Sequence, residues 1–171
     1  MANVGYDLVA EYLWFKYFYL LRHPEAVWQR TPEKQFSDID FIENGIPISA
    51  KVVRQWFKAM LKEIYLVIPV GSTPWECDKR LDGWWPKSKA KEYLWAMPTN
   101  PGEFTVQRVK REDLNYIEKP LEYLASTHSR NWDAWGYKVY WSEVPHQQEI
   151  LTGRLDVWEE IKRIREKNYE G

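Results

Sequence analysis

Residues 92–110 read EYLWAMPTNPGEFTVQRVK and contain two runs of strand-forming residues. The runs, residues 92–97 and 104–110, contain several aromatic and β-branched side chains, which favour the extended backbone of a β-strand. Further along the chain, residues 136–144 alternate their side chains between two faces, as a half-buried strand does. Together these three runs predict a small, mostly antiparallel sheet.

Helical patterns flank the strands on both sides. The first predicted helix covers residues 7–22 and ends at His23, because a residue that precedes proline is disfavoured in the α conformation. A short helix could begin at Pro24, since proline suits the first turn of a helix. The last predicted helix covers residues 153–167, where apolar residues recur at helical spacing.

The clearest helical pattern lies at residues 50–65. Ser49 precedes this segment and is a good N-cap, and Pro69 follows it. The apolar residues of the segment recur at three- and four-residue steps and predict one buried face: Val52, Val53, Trp56, Phe57, Met60, Leu61, Ile64 and Tyr65.

Four basic residues lie on the opposite face of this predicted helix: Lys51, Arg54, Lys58 and Lys62. A basic stripe can bind the phosphates of nucleic acid, because the contact releases counterions. An ordinary solvated helix surface has the same pattern, so both interpretations stay open. We expect at most a modest, salt-sensitive affinity for nucleic acid from these four residues.

The order of these elements predicts a single α+β domain over residues 1–171, with amphipathic helices packed on the sheet. Residues 1–45 could form a helical N-terminal extension. Asn44-Gly45 is a turn signal, and residues 71–91 are predicted to form a long loop. A loop of this length is uncommon in a compact domain and is usually functional.

Charge and cysteine content narrow the function classes. The chain has 24 basic residues (Lys and Arg) and 25 acidic residues (Asp and Glu). Its net charge of −1 predicts no strong binding of polyanions. Cys77 is the single cysteine, and the sequence starts without a signal-peptide pattern, so secretion through an oxidising pathway is not expected. The apolar residues 8–21 are too few for a membrane span of about 20 residues, so no membrane partner is expected.

Aromatic residues are unusually frequent and suggest a protein partner. The chain has 11 Trp and 11 Tyr, which are enriched at protein interfaces and in nucleotide-stacking sites. The loop 71–91 concentrates three tryptophans, and its predicted partner-binding residues are Trp75, Trp84, Trp85 and Lys87. The alternative is that these tryptophans fold back onto the core of the protein itself.

No catalytic constellation is recognisable. His23 and His146 lie beside prolines, and the residues around His128 predict a hydroxyl-rich turn. No motif around Cys77 pairs it with a base, as nucleophilic catalysis requires. The sequence therefore predicts a protein without enzymatic activity.

No cofactor or metal is expected either. The acidic run Asp38, Asp40, Glu43 lacks the alternation and closing glutamate of an EF-hand loop, and a solvated acidic turn is the simpler interpretation. Zinc-binding pairs of cysteine or histidine are missing from the sequence, and its 8 glycines are too scattered to form a phosphate-binding loop.

Three segments resemble one known family. Residues 58–64 (KAMLKEI), 68–73 (IPVGST) and 80–85 (RLDGWW) are similar to the tail-completion and head–tail joining proteins of tailed phages. The resemblance implies a small α+β protomer that forms a ring at the virion neck or tail top and has no enzymatic activity. The chain departs from the family pattern in the order Gly71-Ser72-Thr73 and in an insertion over residues 74–79, and its first 45 residues have no equivalent.

The leading hypothesis is therefore a non-enzymatic structural protein of the virion neck or tail, in the virion or the host cytoplasm. Its expected partners are other protein subunits, as a homo-oligomeric ring or as virion neighbours. One alternative is a small phage- or host-encoded inhibitor or adaptor that binds one host protein. A further alternative is a nucleic-acid-binding module.

Overall fold

The computed structural model describes residues 4–29, 38–52, 65–71, 88–114, 124–128 and 133–170. Side chains are described in residues 9–29, 38–52, 88–114 and 141–165. Within these ranges two helices and two sheets form a single α+β domain, as the sequence predicts.

The strands of the described residues form a six-stranded and a three-stranded sheet. The bounds of the strands are β1 Val27–Trp28, β2 Phe41–Glu43, β3 Ile46–Val52, β4 Tyr65–Gly71, β5 Glu92–Pro98, β6 Glu103–Lys110, β7 Leu124–His128, β8 Asp133–Tyr140 and β9 Gln147–Thr152. The larger sheet has the order β1-β2-β3-β5-β6-β9, in which only the β3–β5 pair of the described strands is parallel. The smaller sheet has the order β4-β8-β7 and is antiparallel.

The first helix changes its geometry along its length. It is α-helical over Val4–Trp14, π-helical over Phe15–Tyr19 and α-helical again over Leu20–Arg22. It stops at His23, whose φ of −132° and ψ of 66° leave the α region, as expected before Pro24. The last helix is Leu155–Glu170.

Both helices cover one face of the larger sheet, which we call the first face. Ala10, Trp14 and Phe18 of the first helix follow each other at four-residue steps and are fully buried. The strands contribute Phe41, Ile48, Leu94, Phe104 and Leu151 to the same core, and the last helix contributes Trp158, Ile161 and Ile164. Each of these large apolar side chains stabilises the fold by about 1.5–3 kcal/mol. The first 45 residues thus supply part of the central core and two strands.

The opposite, second face of the larger sheet is buried as well. β5 is buried on both sides, and its second-face residues Tyr93, Trp95 and Met97 are at most 5% exposed. Trp141, in a 3₁₀ turn over Trp141–Glu143, packs edge-on against Trp95 with 5.8 Å between ring centroids. A strand buried on both faces needs apolar residues at consecutive positions, which the sequence of β5 has.

A tight turn joins β2 to β3. Asn44 and Gly45 have φ angles of 51° and 81°, the positive values that a two-residue type I′ hairpin requires at both central positions. The predicted Asn44-Gly45 turn is confirmed.

The predicted helix over residues 50–65 is wrong at both of its ends. Ala50 and Val52 lie in β3, and Tyr65 begins β4, whereas residues 53–64 lie outside the described residues. The physical reason is a second periodicity, since Ile48, Ala50 and Val52 alternate at every other position and are at most 2% exposed. Ser49 does not cap a helix, because its hydroxyl donates to Asp38 Oδ1 at 3.0 Å.

Other predicted elements also need correction. Pro24 begins no helix, because a turn leads from it into β1. Pro69 lies inside β4, which pairs only with β8 among the described strands, and proline is tolerated in such an edge strand. Residues 136–144 form a strand only to Tyr140, where the 3₁₀ turn begins. The predicted loop starts later than expected, since Gly71 still belongs to β4.

Candidate functional site

A cluster of polar side chains lies where the first helix ends over the sheet. We call it the His23 cluster; its members are Tyr19, His23, Glu25, Glu43, Arg108 and Glu149. Most of these residues are partly or fully buried, and Glu25 is exposed. Buried ionisable groups beside a cavity are candidates for function.

The first helix places Tyr19 and His23 together. They are four residues apart, and their rings stack with 4.2 Å between centroids and 8° between planes. The backbone N–H of His23 donates to the carbonyl oxygen of Tyr19 at 3.0 Å. The π-helical turn that ends at Tyr19 shifts the helix face at this point, a distortion often found at functional sites.

Strand register brings the remaining members to the first face. Arg108 of β6 lies opposite Leu94 of β5, and Glu149 of β9 lies opposite Val106 of β6. Glu43 is the last residue of β2, next to the hairpin turn. Leu94 and Val106 belong to the core of the first face, and residues paired across neighbouring strands share a face. Arg108 and Glu149 therefore lie on the same face of the sheet as the end of the first helix.

His23 lies between two carboxylates. Its Nδ1 is 2.9 Å from Glu43 Oε2, and its Nε2 is 2.8 Å from Glu149 Oε1. Since an ionised carboxylate only accepts hydrogen bonds, both bonds can form at once only if both ring nitrogens carry protons. In the neutral ring one nitrogen instead presents a lone pair to its carboxylate.

Glu43 is held by two further groups. Its Oε1 accepts hydrogen bonds from the Tyr19 hydroxyl and from Arg108 Nη2, the latter at 3.2 Å. Burial alone would raise the pKa of the Glu43 carboxyl, but the Tyr19 hydrogen bond and the Arg108 charge outweigh it and lower this pKa. Burial raises the pKa of the Tyr19 hydroxyl far above its usual range, so Tyr19 acts as a neutral donor.

A cavity of about 480 Å³ adjoins the cluster. Its walls combine apolar side chains with groups that can hydrogen-bond, and they reach the β9 edge of the sheet: Tyr19, His23, Leu94, Val106, Arg108, Gln147, Gln148 and Glu149. The cluster also offers metal ligands, because one ligand atom from each of His23, Glu25 and Glu43 lies within 4.8 Å of the others.

A second polar network lies on the second face. Asp38 accepts hydrogen bonds from Ser49, Lys51 and Ser88, at 3.0, 3.0 and 2.9 Å. Ser88 continues the network to the Tyr93 hydroxyl at 2.7 Å. The interpretation of Asp38 as part of a solvated acidic turn is therefore wrong, because its carboxylate is hydrogen-bonded within the protein.

The prediction of a solvated acidic turn is also wrong for Asp40 and Glu43. Asp40 Oδ2 accepts from the backbone N–H of Ala50 at 2.8 Å, and burial raises the pKa of Asp40 to about 6. Glu43 is 6% exposed and belongs to the His23 cluster. Neither carboxyl belongs to a solvated turn.

Most of the sequence-predicted site residues lie outside the described residues: Trp75, Trp84, Trp85, Lys87, Arg54, Lys58 and Lys62. Lys51 is described, and it lies on a strand with its ammonium group 3.0 Å from Asp38 Oδ1. Its place on a basic helix stripe is therefore wrong. The other three basic residues remain untested as a polyanion-binding surface.

The two other histidines lie on other elements of the chain. His146 Nδ1 lies 3.0 Å from the carbonyl oxygen of Val144, and its ring packs beside Trp141. His128 is the last residue of β7, not part of a turn.

The sequence contains only part of the signal for the His23 cluster. Tyr19 and His23 are four residues apart in a predicted helix, and Glu25 follows shortly after. This spacing places the first two on one helix face. The contributions of Arg108 and Glu149 depend on strand pairing, which composition does not reveal.

An edge of the larger sheet lies next to the cavity. Among the described strands β9 pairs only with β6, on one side. Gln147, Gln148 and Thr152 are exposed, and Ile150 is 49% exposed. An edge strand presents backbone N–H and C=O groups that another strand can bind.

Comparison of the chain with protein-family models, curated proteins and solved structures gives no match. The phage-family resemblance therefore stays a hypothesis. Within the described parts of the chain, neither helix has the length and hydrophobicity needed to cross a membrane.

Proposed function

We propose that this protein is a non-enzymatic assembly subunit whose copies associate by pairing their β9 edges into a continuous sheet. The observation that supports the proposal is the exposed edge formed by Gln147–Thr152, which has β6 on one side. The proposal keeps the hypothesis of a structural protein and gives it a contact surface.

β9 lacks most of the devices that usually protect an edge, although Glu149 is an inward-pointing charge. Natural edge strands carry lysines, prolines or bulges, or are very short. Residues 147–152 read QQEILT, without lysine, arginine or proline, and the β6–β9 register is uninterrupted. The single charge, Glu149, is turned toward His23 of its own chain.

The sequence of β9 is compatible with antiparallel pairing to a second copy. With Ile150 on the two-fold axis, the two exposed Ile150 side chains face each other on the second face. In this register Glu149 faces Leu151 of the other copy. A register centred on Glu149 would place two carboxylates opposite each other, which is unfavourable.

The opposite edge of the sheet favours a closed dimer over a ring. β1, at that edge, has two residues, whereas β9 has six. A ring built by joining β9 to β1 of the next copy would gain little strand pairing. The ring at a virion neck, which the phage-family resemblance implies, would need another surface.

Charged substitutions at Ile150 test this proposal. Ile150→Lys places two ammonium groups opposite each other, so the dimer dissociation constant should rise by about tenfold or more. A mixture of Ile150→Lys and Ile150→Glu should restore a mixed dimer, because opposite charges then face each other. The measurement is sedimentation velocity over a wide concentration range, with native mass spectrometry identifying the mixed dimer.

Val9→Lys is the matched control. Val9 is 47% exposed, close to the exposure of Ile150, but it lies on the first helix and not on β9. It should leave the dissociation constant unchanged. A monomeric wild type would refute the proposal, as would a dimer that persists in Ile150→Lys. A ring of higher mass would favour the neck-protein hypothesis and a different contact.

A further inference from the structure

We infer that His23, Glu25 and Glu43 form a binding site for one divalent first-row transition-metal ion, such as Zn²⁺, Mn²⁺ or Fe²⁺. The inference is independent of the proposed assembly, because none of the three ligands lies on β9. Imidazole and carboxylate ligands without thiolate suit these ions.

The three candidate ligands already lie close together. His23 Nδ1 and Glu43 Oε2 are 2.9 Å apart, and all three ligand atoms fall within 4.8 Å of one another. Ligands that each lie about 2.0–2.2 Å from a metal ion are themselves about 3 Å apart. Small side-chain movements would therefore complete the site, and water would fill the remaining positions.

The surrounding residues orient these ligands as the outer contacts of a metal site do. Glu149 can accept a hydrogen bond from Nε2–H of His23. In that tautomer the lone pair of Nδ1 faces Glu43. Tyr19 and Arg108 occupy Oε1 of Glu43, and this leaves Oε2 on the His23 side. The ligand atoms of His23 and Glu43 thus face the common centre, while the other polar atom of each side chain is held by a neighbour.

The charge around the centre also favours a cation. The His23 cluster contains three carboxylates, those of Glu25, Glu43 and Glu149. A fourth, that of Glu92, forms an ion pair with Arg108. Arg108 and a doubly protonated His23 supply at most two positive charges against these four. One carboxylate oxygen of Glu25 lies within 4.8 Å of one of Glu43, and two carboxylates this close repel unless a proton or a cation lies between them.

The sequence does not predict this site, because Glu43 lies on a different element from His23 and Glu25. The expectation that no metal binds depends on the lack of familiar ligand spacing along the chain. Tertiary contact between the helix end and β2 brings the three ligands together instead.

Isothermal titration calorimetry of the chelator-treated full chain with Zn²⁺ and Mn²⁺ tests the inference. Wild type should bind one ion per chain. Glu25→Gln should weaken binding by at least about tenfold, since an amide is a poorer ligand than a carboxylate and Glu25 is exposed enough for the fold to tolerate the change. Glu149→Gln should weaken it by about 10–100-fold through the orientation of His23.

Glu159→Gln is the matched control, because Glu159 is an exposed glutamate on the last helix, outside the His23 cluster. It should bind the ion like wild type. Cobalt substitution supplies a second readout, since the visible spectrum of bound Co²⁺ should change in Glu25→Gln and not in Glu159→Gln. No stoichiometric ion in wild type, or equal affinity in Glu25→Gln and Glu159→Gln, would overturn the inference.

Discussion

At the scale of single residues, the carboxylates of Glu43 and Asp38 are each held by several polar side chains. Glu43 has Tyr19, His23 and Arg108 around its carboxylate, and Asp38 has Ser49, Lys51 and Ser88. Removing one partner leaves a buried group without its hydrogen bond, which costs more than the bond itself contributes.

Tyr19→Phe should destabilise the fold by about 1–3 kcal/mol. The change removes the hydroxyl that donates to Glu43 and accepts from Arg108, while the ring that packs on Phe41 remains. Urea unfolding measures the difference. Tyr17→Phe is the control, because the Tyr17 ring lies half-buried beside Arg154, and the loss there should be clearly smaller. Equal losses in the two variants would contradict the role given to the Tyr19 hydroxyl.

Asp40 should make the stability depend on pH. Its pKa is raised from 3.8 to about 6 in the folded protein, mainly by burial, so the folded state holds a proton that the unfolded state releases. The stabilisation is present below pH 3.8 and is lost as the pH rises through about 6, a change of about 3 kcal/mol.

Asp40→Asn removes this titration and keeps the shape of the side chain. The free energy of unfolding of wild type minus that of Asp40→Asn should therefore fall between pH 4 and pH 7. Urea unfolding at a series of pH values measures it. A difference that stays constant over this range would show that Asp40 titrates normally.

At the scale of elements, the close approach of the first helix to the end of β9 depends on one glycine. A Cβ at Gly153 would lie 2.7 Å from the carbonyl oxygen of Tyr17 and 2.8 Å from Cε1 of Phe18. The oxygen belongs to the π-helical turn, so the backbone itself would have to move. No larger residue fits here without separating the helix from the sheet.

Gly153→Ala should lower the free energy of unfolding by about 1–3 kcal/mol, as overpacking of a close contact does. Gly45→Asn is the comparison at a different kind of glycine. Gly45 has a φ of 81°, a Cβ added there would meet no atom within 4 Å, and asparagine tolerates this backbone conformation. That variant should lose much less stability. Thermal and urea unfolding of both variants measure which of them loses more stability.

The elements also show which sequence signals are reliable. β5 and β6 lie within about one residue of the predicted strands, and the first helix ends at His23 as predicted, because composition and proline act locally. Residues 50–52 fit a helical and a strand periodicity equally well, so the sequence alone does not separate the two. Pairing of β3 with β5 decides in favour of the strand.

At the scale of the whole molecule, the α+β class follows from the sequence, but the neighbours of each strand do not. Side-chain alternation indicates which residues share a face and leaves the partner strand open. The parallel β3–β5 pair and the position of β9 at the sheet edge are therefore new information from the structure. The His23 cluster depends on both, because Glu43, Arg108 and Glu149 come from three different strands.

The packing of the first helix against the last has a consequence for synthesis on the ribosome. Trp14 and Phe18 are made early, but Leu151, Trp158 and Ile161, which share their core, are made more than a hundred residues later. Until those residues leave the exit tunnel, the aromatic face of the first helix has no complete partner surface. Transiently exposed apolar surface promotes aggregation, so the nascent chain should need a chaperone until its last helix is made.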